Sequence, residues 1–163
     1  MKLFTLINDL KKRDTQKGFY IVGIEKCGTT SLEQWYRSKG HVVVREESIY
    51  FRWYAKIRAR ILYPNMKIVL IIRDPVERVY SHYNYKRYYQ QGDRNEIKCD
   101  LQTALKEHPE ILRGSNYSKW IKKWNPNVVY DLRQMQMMCD FPKENINSHP
   151  IPTSSRILIE GAL

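Results

Sequence analysis

The stretch KIVLIIRDPVERVYSHY, residues 67–83, decides the fold. From Ile68 to Ile72 every residue is apolar and most are β-branched, with no polar alternation. A run this short and this uniformly apolar reads as a strand, Lys67 to Ile72, buried on both faces. Arg73, Asp74 and Pro75 end it. Proline at the first helical position, Asp74 before it as N-cap and Glu77 three residues after the cap make a helix start, and the pattern predicts a helix to about Tyr89. A strand covered on both faces and followed at once by a helix points to a parallel α/β sheet.

The flanking sequence repeats that alternation. Gly18 to Gly23 (GFYIVG) reads as a buried strand running into a tight turn, and Thr30 to Ser38 as a helix closed by Gly40. His41 to Arg45 (HVVVR) is a second β-branched strand, and Tyr50 to Tyr63 a strongly basic helix stopped by Pro64-Asn65. Asp100 to Glu107 and Tyr117 to Trp124 are expected helices, and Asn127 to Tyr130 a fourth strand. A short amphipathic helix is expected over residues 3–12, with Leu3, Leu6, Ile7 and Leu10 on one face. The tail from Phe141 to Pro152 is expected to wrap the surface, with a last helical turn or two near Ser154 to Ala162. The expectation is one domain over residues 1–163, with its core at about 18–131 and a C-terminal tail at 141–163: a parallel sheet flanked by helices.

Composition narrows the function. Among 163 residues, 28 are Lys or Arg and 17 are Asp or Glu, a formal net charge of +11. A 42% apolar share supports a real core and argues against wholesale disorder. No apolar run approaches the roughly 20 residues of a membrane span. Cys27, Cys99 and Cys139 are an odd number at no metal-like spacing. They speak against a disulfide framework and a zinc site, and a reducing cytoplasm is the expected compartment. The positive charge implies an anionic partner, for which nucleic acid, an acidic surface and a phosphorylated small molecule all qualify.

In a parallel sheet, ligands bind beyond the carboxyl ends of the strands, which here directs attention to residues 23–31, 45–47 and 73–81. The first loop is Gly23-Ile24-Glu25-Lys26-Cys27-Gly28-Thr29-Thr30-Ser31. Two glycines between a strand and a helix suit a loop whose backbone N–H groups wrap an anion, aided by the helix N-terminus. The nucleoside-triphosphate version of such a loop, GxxxxGK[ST], has lysine after the second glycine, whereas here that slot holds Thr29 and the lysine is Lys26, inside the loop. This placement suits an enzyme that grips a 5′-phosphate without a metal. Arg73 ends the best strand and Ser81 lies two turns into the next helix, where guanidinium and hydroxyl can both address one phosphate.

Together these two motifs, GxxKCGTTSL after one strand and RDPVERVYSHY after another, resemble the sulfotransferase family, which uses 3′-phosphoadenosine 5′-phosphosulfate (PAPS) and releases adenosine 3′,5′-bisphosphate (PAP). The resemblance covers about residues 18–131 and is to the heparan-sulfate, tyrosylprotein and bacterial branches. It implies a P-loop-like nucleotide-binding core. Lys26, Cys27, Gly28, Thr29, Thr30 and Ser31 would form the 5′-phosphosulfate loop, and Arg73 and Ser81 would hold the 3′-phosphate. The segment Arg113 to Tyr117 (RGSNY) is similar to a stretch whose arginine and tyrosine lie near the nucleotide in those branches. Arg45-Glu46-Glu47-Ser48-Ile49-Tyr50-Phe51 resembles the segment that carries their general base. Counting back from Tyr50-Phe51 gives Glu47 and counting forward from Arg45 gives Glu46; Glu47 is preferred. His41 and His82 are weaker candidates. The glycine-rich C-terminal loop of cytosolic members has no counterpart, so the acceptor pocket is expected to be small, open or completed by another subunit.

The implied reaction moves a sulfuryl group from PAPS to a hydroxyl or amine, with Lys26 beside the scissile bond and no metal. Two other readings stand beside it. One is a P-loop kinase or NTPase with Asp74 as the metal carboxylate. The other is a basic, non-enzymatic nucleic-acid-binding protein, using Arg52 to Arg60 (RWYAKIRAR) and Tyr83 to Tyr89 (YNYKRYY), although no recognised nucleic-acid motif is present. The same basic stretches could receive an anionic small-molecule or glycan acceptor. The oligomeric state is open.

Overall fold

The computed structural model describes residues 15–46, 54–89, 97–138, 140–142 and 150–163. The expected helix over 3–12 and the first residues of the expected helix from Tyr50 lie outside them. Among the described residues four strands form one sheet: β1 (Gly18–Val22), β2 (Val43–Glu46), β3 (Met66–Ile72) and β4 (Val128–Asp131), in the order β2-β1-β3-β4. All pairings are parallel; Val22 stands opposite Glu46 on one side and Leu70 on the other, and Ile72 opposite Asp131. All four strands therefore end along one edge. Because β1 leads to β2 on one side and β3 lies on its other side, the chain reverses direction across the sheet between β1 and β3. That is the switch point at which ligands bind in doubly wound sheets.

Burial explains the strands. In β3 every residue from Ile68 to Ile71 is almost fully buried, as the unbroken apolar run demands. The helices cover both faces: α1 (Thr29–Ser38), α2 (Ala55–Leu62), α3 (Pro75–Asn84), α4 (Leu101–Glu107), α5 (Glu110–Arg113), α6 (Tyr117–Trp124), α7 (Leu132–Gln136) and α8 (Thr153–Ala162). Tyr20, Ile21, Leu32, Trp120, Trp124 and Leu132 join the β3 residues in the main core. A second apolar cluster gathers Val76, Val79 and Tyr83 of α3 with Leu101, Ala104 and Ile111, and Ile159 of α8 closes it. The C-terminal helix runs from Thr153 to Ala162, one residue earlier than the expected start at Ser154. No helix among the described residues is long and apolar enough to cross a membrane.

Element ends follow local chemistry. Helix α1 closes with Gly40 N–H donating to Arg37 O (2.9 Å) and His41 N–H to Tyr36 O (3.1 Å), a Schellman motif with Gly40 at φ 77°. That bond keeps His41 out of the strand, so β2 begins at Val43. At α3, Pro75 stands at the first position and Asp74 Oδ1 accepts from Glu77 N–H at 3.0 Å, as the sequence predicts. The expected continuous helix to Tyr89 instead changes after Asn84 into a π-helical turn, Tyr85–Tyr89.

Candidate active site

The carboxyl edge brings the first loop and the end of β3 together. After Val22 the chain turns through Gly23 to Gly28; Cys27 N–H donates to Ile24 O at 3.2 Å, and Lys26 adopts φ 66°, a left-handed conformation unusual for a residue with a Cβ. Gly28 caps α1 at φ 85°, and a Cβ there would come 2.7 Å from Leu132 Cδ1. Any other residue would therefore be strained twice, in its backbone and against α7. Thr29 and Ser31 open α1 facing inward and are buried, whereas Thr30 is exposed. Ser31 Oγ is buried without a hydrogen-bond partner among the described residues. A polar atom in that condition is costly.

Arg73 meets this loop directly. Its side chain is 8% exposed, and its guanidinium donates through Nη1 to Lys26 O (3.4 Å) and through Nε to Glu77 Oε2 (3.3 Å). The Arg73 backbone N–H donates to the Tyr117 phenol oxygen at 3.4 Å, and that hydroxyl lies 3.7 Å from Cys27 Sγ. Loop, strand end and the start of α6 thus converge on one point. Cys27 is fully buried, and desolvation pushes its thiol up to about 11. Its side chain belongs to the core, so only its backbone could face a ligand. Burial, the largest cause, also raises the Tyr117 hydroxyl well above the ordinary tyrosine range.

Helix α3 carries three residues that bear on the site. Ser81 is half-buried, two turns from the helix start. His82 is turned inward, and its Nε2 lies 2.8 Å from Glu25 Oε2 in the loop. The hydrogen bond from His82 holds the Glu25 carboxyl below its ordinary range, while desolvation holds His82 below its own. The pair is therefore an ionised carboxylate accepting from a neutral imidazole. Arg78 is 1% exposed; it donates to Ser115 Oγ at 2.8 Å and to Ile111 O. A Cβ on Gly114 would come 2.8 Å from Arg78 Nη1. The RGS part of RGSNY is consequently the seat of a buried arginine. Arg113 itself is exposed, with its carbonyl accepting from Trp120 Nε1 at 3.3 Å.

The sequence reading did not single out Arg78, or the inward turn of His82 onto Glu25. Arg78 lies on the side of α3 that also carries His82, away from the face of Val76, Val79 and Tyr83 that fills the second apolar cluster, so the apolar pattern held no cue to its burial. Glu46 ends β2 opposite Val22, so its backbone reaches the same edge; Glu47 lies outside the described residues. Arg45 Nε is 2.8 Å from Glu33 Oε2, and its Nη1 donates to Thr30 Oγ1, which ties β2 to the start of α1. Cysteine spacing gave no cue to a different grouping, Cys99, Glu107 and His108, whose ligand atoms lie within 4.8 Å of one another. None of these three belongs to the loop or to Arg73.

The basic stretches divide between solvent and intramolecular contacts. Arg60 of α2 is exposed and Lys56 and Arg58 are half-exposed. Arg87 packs its guanidinium 5.6 Å from the Tyr83 ring centroid and 5.5 Å from that of Tyr88, and donates to Cys99 O. Part of the interleaved aromatic and basic run is thus engaged within the fold.

Residues 52–148 match the family described as the sulfotransferase domain. The match includes Arg73, Ser81 and the RGSNY segment and begins after the first loop. No curated protein matches the chain.

Proposed function

The chain belongs to the sulfotransferase domain family, and on that premise we propose that its sulfuryl donor is PAPS and its acceptor a hydroxyl or amine. The observation that carries this reading is the 3.4 Å contact of Arg73 Nη1 with Lys26 O, which joins the two anchor segments at the switch point of the sheet. A doubly phosphorylated nucleotide needs two cationic sites fixed relative to each other, and this contact supports that arrangement. Thr29, Thr30 and Ser31 with the backbone from Cys27 to Gly28 would hold the 5′-phosphosulfate, as in a P-loop. The orphan hydroxyl of Ser31 would gain a partner there. Arg73 and Ser81 would hold the 3′-phosphate, with Tyr117 accepting from the Arg73 backbone N–H and the exposed Arg113 as a further contact to the nucleotide.

Each residue then has a chemical task. The bond from sulfur to the bridging oxygen breaks and a bond from sulfur to the acceptor forms. Lys26 donates to the bridging oxygen as it gains charge; loss of one such preorganised donor costs about 3 to 4 kcal/mol of barrier. Glu47, or Glu46, takes the acceptor's proton, a task worth roughly 10²- to 10⁴-fold. The leaving group is a phosphate, so the proposed transfer is metal-independent. The exposed Arg60 and half-exposed Lys56 and Arg58 of α2 favour an anionic small-molecule or glycan acceptor.

A thermal-shift panel with PAP, PAPS, Mg²⁺-ATP and AMP tests the reading. Ligand at about 100 times its dissociation constant adds roughly 2.7 kcal/mol, several degrees at this size. PAP and PAPS should stabilise the protein without metal. Stabilisation by Mg²⁺-ATP but not by PAP would replace the reading with that of a kinase-like nucleotide binder.

A further inference from the structure

Helix α3 and the π-turn that continues it touch the first loop at two consecutive residues. His82 Nε2 bonds Glu25 Oε2 at 2.8 Å, and Lys26 Nζ lies 4.2 Å from the centroid of the Tyr85 ring. His82 and Tyr85 are three positions apart, so both project from one face of the helix. The loop residue they flank, Lys26, sits at φ 66°, a conformation that persists only where the surroundings impose it. The π-turn begins at Tyr85 itself, and such widened turns gather at functional sites.

We propose that His82 and Tyr85 are positioning residues for Lys26: the His82–Glu25 bond fixes the loop backbone, and the Tyr85 ring fixes the ammonium. The proposal rests on the reading of Lys26 as the group that faces the phosphosulfate bridge. A lysine stem is long and loses much rotamer freedom when it is ordered. A cation already resting on an aromatic face has lost part of that freedom before the nucleotide arrives, which is how preorganisation raises a rate. Tyr85 is 41% exposed, so its ring can be replaced without opening the core.

The test uses the full chain with its lysines ¹³C-labelled and with PAP as the probe. The ε-CH₂ protons of Lys26, assigned through Lys26→Arg, should be displaced upfield by the ring in the unaltered protein and in Tyr85→Phe. They should return to the position of the other lysines in Tyr85→Leu. PAP affinity, by calorimetry, should be the same in all three proteins, while PAP release from PAPS by hydrolysis, with water receiving the sulfuryl group as sulfate, falls about two- to fivefold in Tyr85→Leu only, the size of one cation–π contact. His82→Gln keeps a donor at the Nε2 position and should preserve the Lys26 signal, whereas His82→Leu should lose it. Glu25→Ala, at a side chain that is 44% exposed, supplies the same comparison if the buried leucine variant does not fold. An undisplaced Lys26 signal in the unaltered protein, or equal PAPS turnover in Tyr85→Leu, overturns the proposal. Failure of PAP to bind the unaltered protein overturns the nucleotide reading instead, and the Lys26 signal still decides whether Tyr85 holds the lysine.

Discussion

Replacing Gly28 with alanine attacks the hinge between the first loop and α1. At φ 85° the new side chain would occupy a left-handed conformation, which costs roughly 1 to 2 kcal/mol for a residue with a Cβ. Its Cβ would also stand 2.7 Å from Leu132 Cδ1. The terminus of a leucine can yield, but Leu132 is buried in the main core, and overpacking of that kind costs typically about 1 to 3 kcal/mol. Together the two effects destabilise by about 2 to 5 kcal/mol, or roughly 4 to 20 °C in Tm at this chain length. Urea unfolding of four proteins separates them: the unaltered chain, Gly28→Ala, Leu132→Ala and the double variant. Leu132→Ala alone should cost about 2 to 5 kcal/mol. The double variant should be more stable than the sum of the singles implies, because the truncated leucine no longer meets the new methyl. A loss under about 0.5 kcal/mol in Gly28→Ala would refute both causes. Strict additivity would refute the steric one and leave the backbone cost alone.

Two further outcomes follow from the α3 segment. Asp74→Ala removes the acceptor of the Glu77 N–H and a partner of Arg133, 3.2 Å from Asp74 Oδ2, and should cost about 1 kcal/mol by chemical denaturation; an unchanged midpoint would mean that the cap contributes nothing. The Glu25–His82 pair makes the fold acid-sensitive. Both groups are held below their ordinary ranges, so the unfolded chain binds more protons and stability rises with pH. The histidine part should be complete above about pH 6.5 and erode as pH falls through its lowered range, with the carboxylate part following below it. Urea midpoints of the unaltered protein should drop between about pH 7 and 5, and those of His82→Gln should drop less; equal slopes would remove the histidine from the cause.

How far the sequence could be read depends on where the information lies. Strand β3 and the start of α3 were legible because both are local: an unbroken apolar run needs two covering layers, and Asp74, Pro75 and Glu77 specify a helix start within four residues. The start of β2 was misplaced by two residues because His41 N–H is used to close α1, and β-branched pattern carries no record of that competition. The switch to a π-turn at Tyr85 is a change in backbone bonding without a side-chain signature. At the site, the motif order revealed which loops face the same edge. It did not reveal that Cys27 turns into the core or that Arg78 is buried. An arginine on a helix reads as solvated unless its partners, here Ser115 and Ile111, are known to lie beneath it. The Glu25–His82 bond was hidden for the same reason, as it joins segments on either side of the second and third strands.

The most direct measurement is the ratio of PAP to AMP affinity, taken by calorimetry without metal in the unaltered protein and in Arg73→Ala. If Arg73 receives the 3′-phosphate, PAP should bind the unaltered protein at least tenfold more tightly than AMP, because a charge-assisted bond to phosphate is worth about 1.5 to 3 kcal/mol. In Arg73→Ala the two nucleotides should bind nearly alike. A ratio near one in the unaltered protein, or a preference for PAP that survives the loss of Arg73, would contradict the assignment of the two anchors to the two ends of one nucleotide.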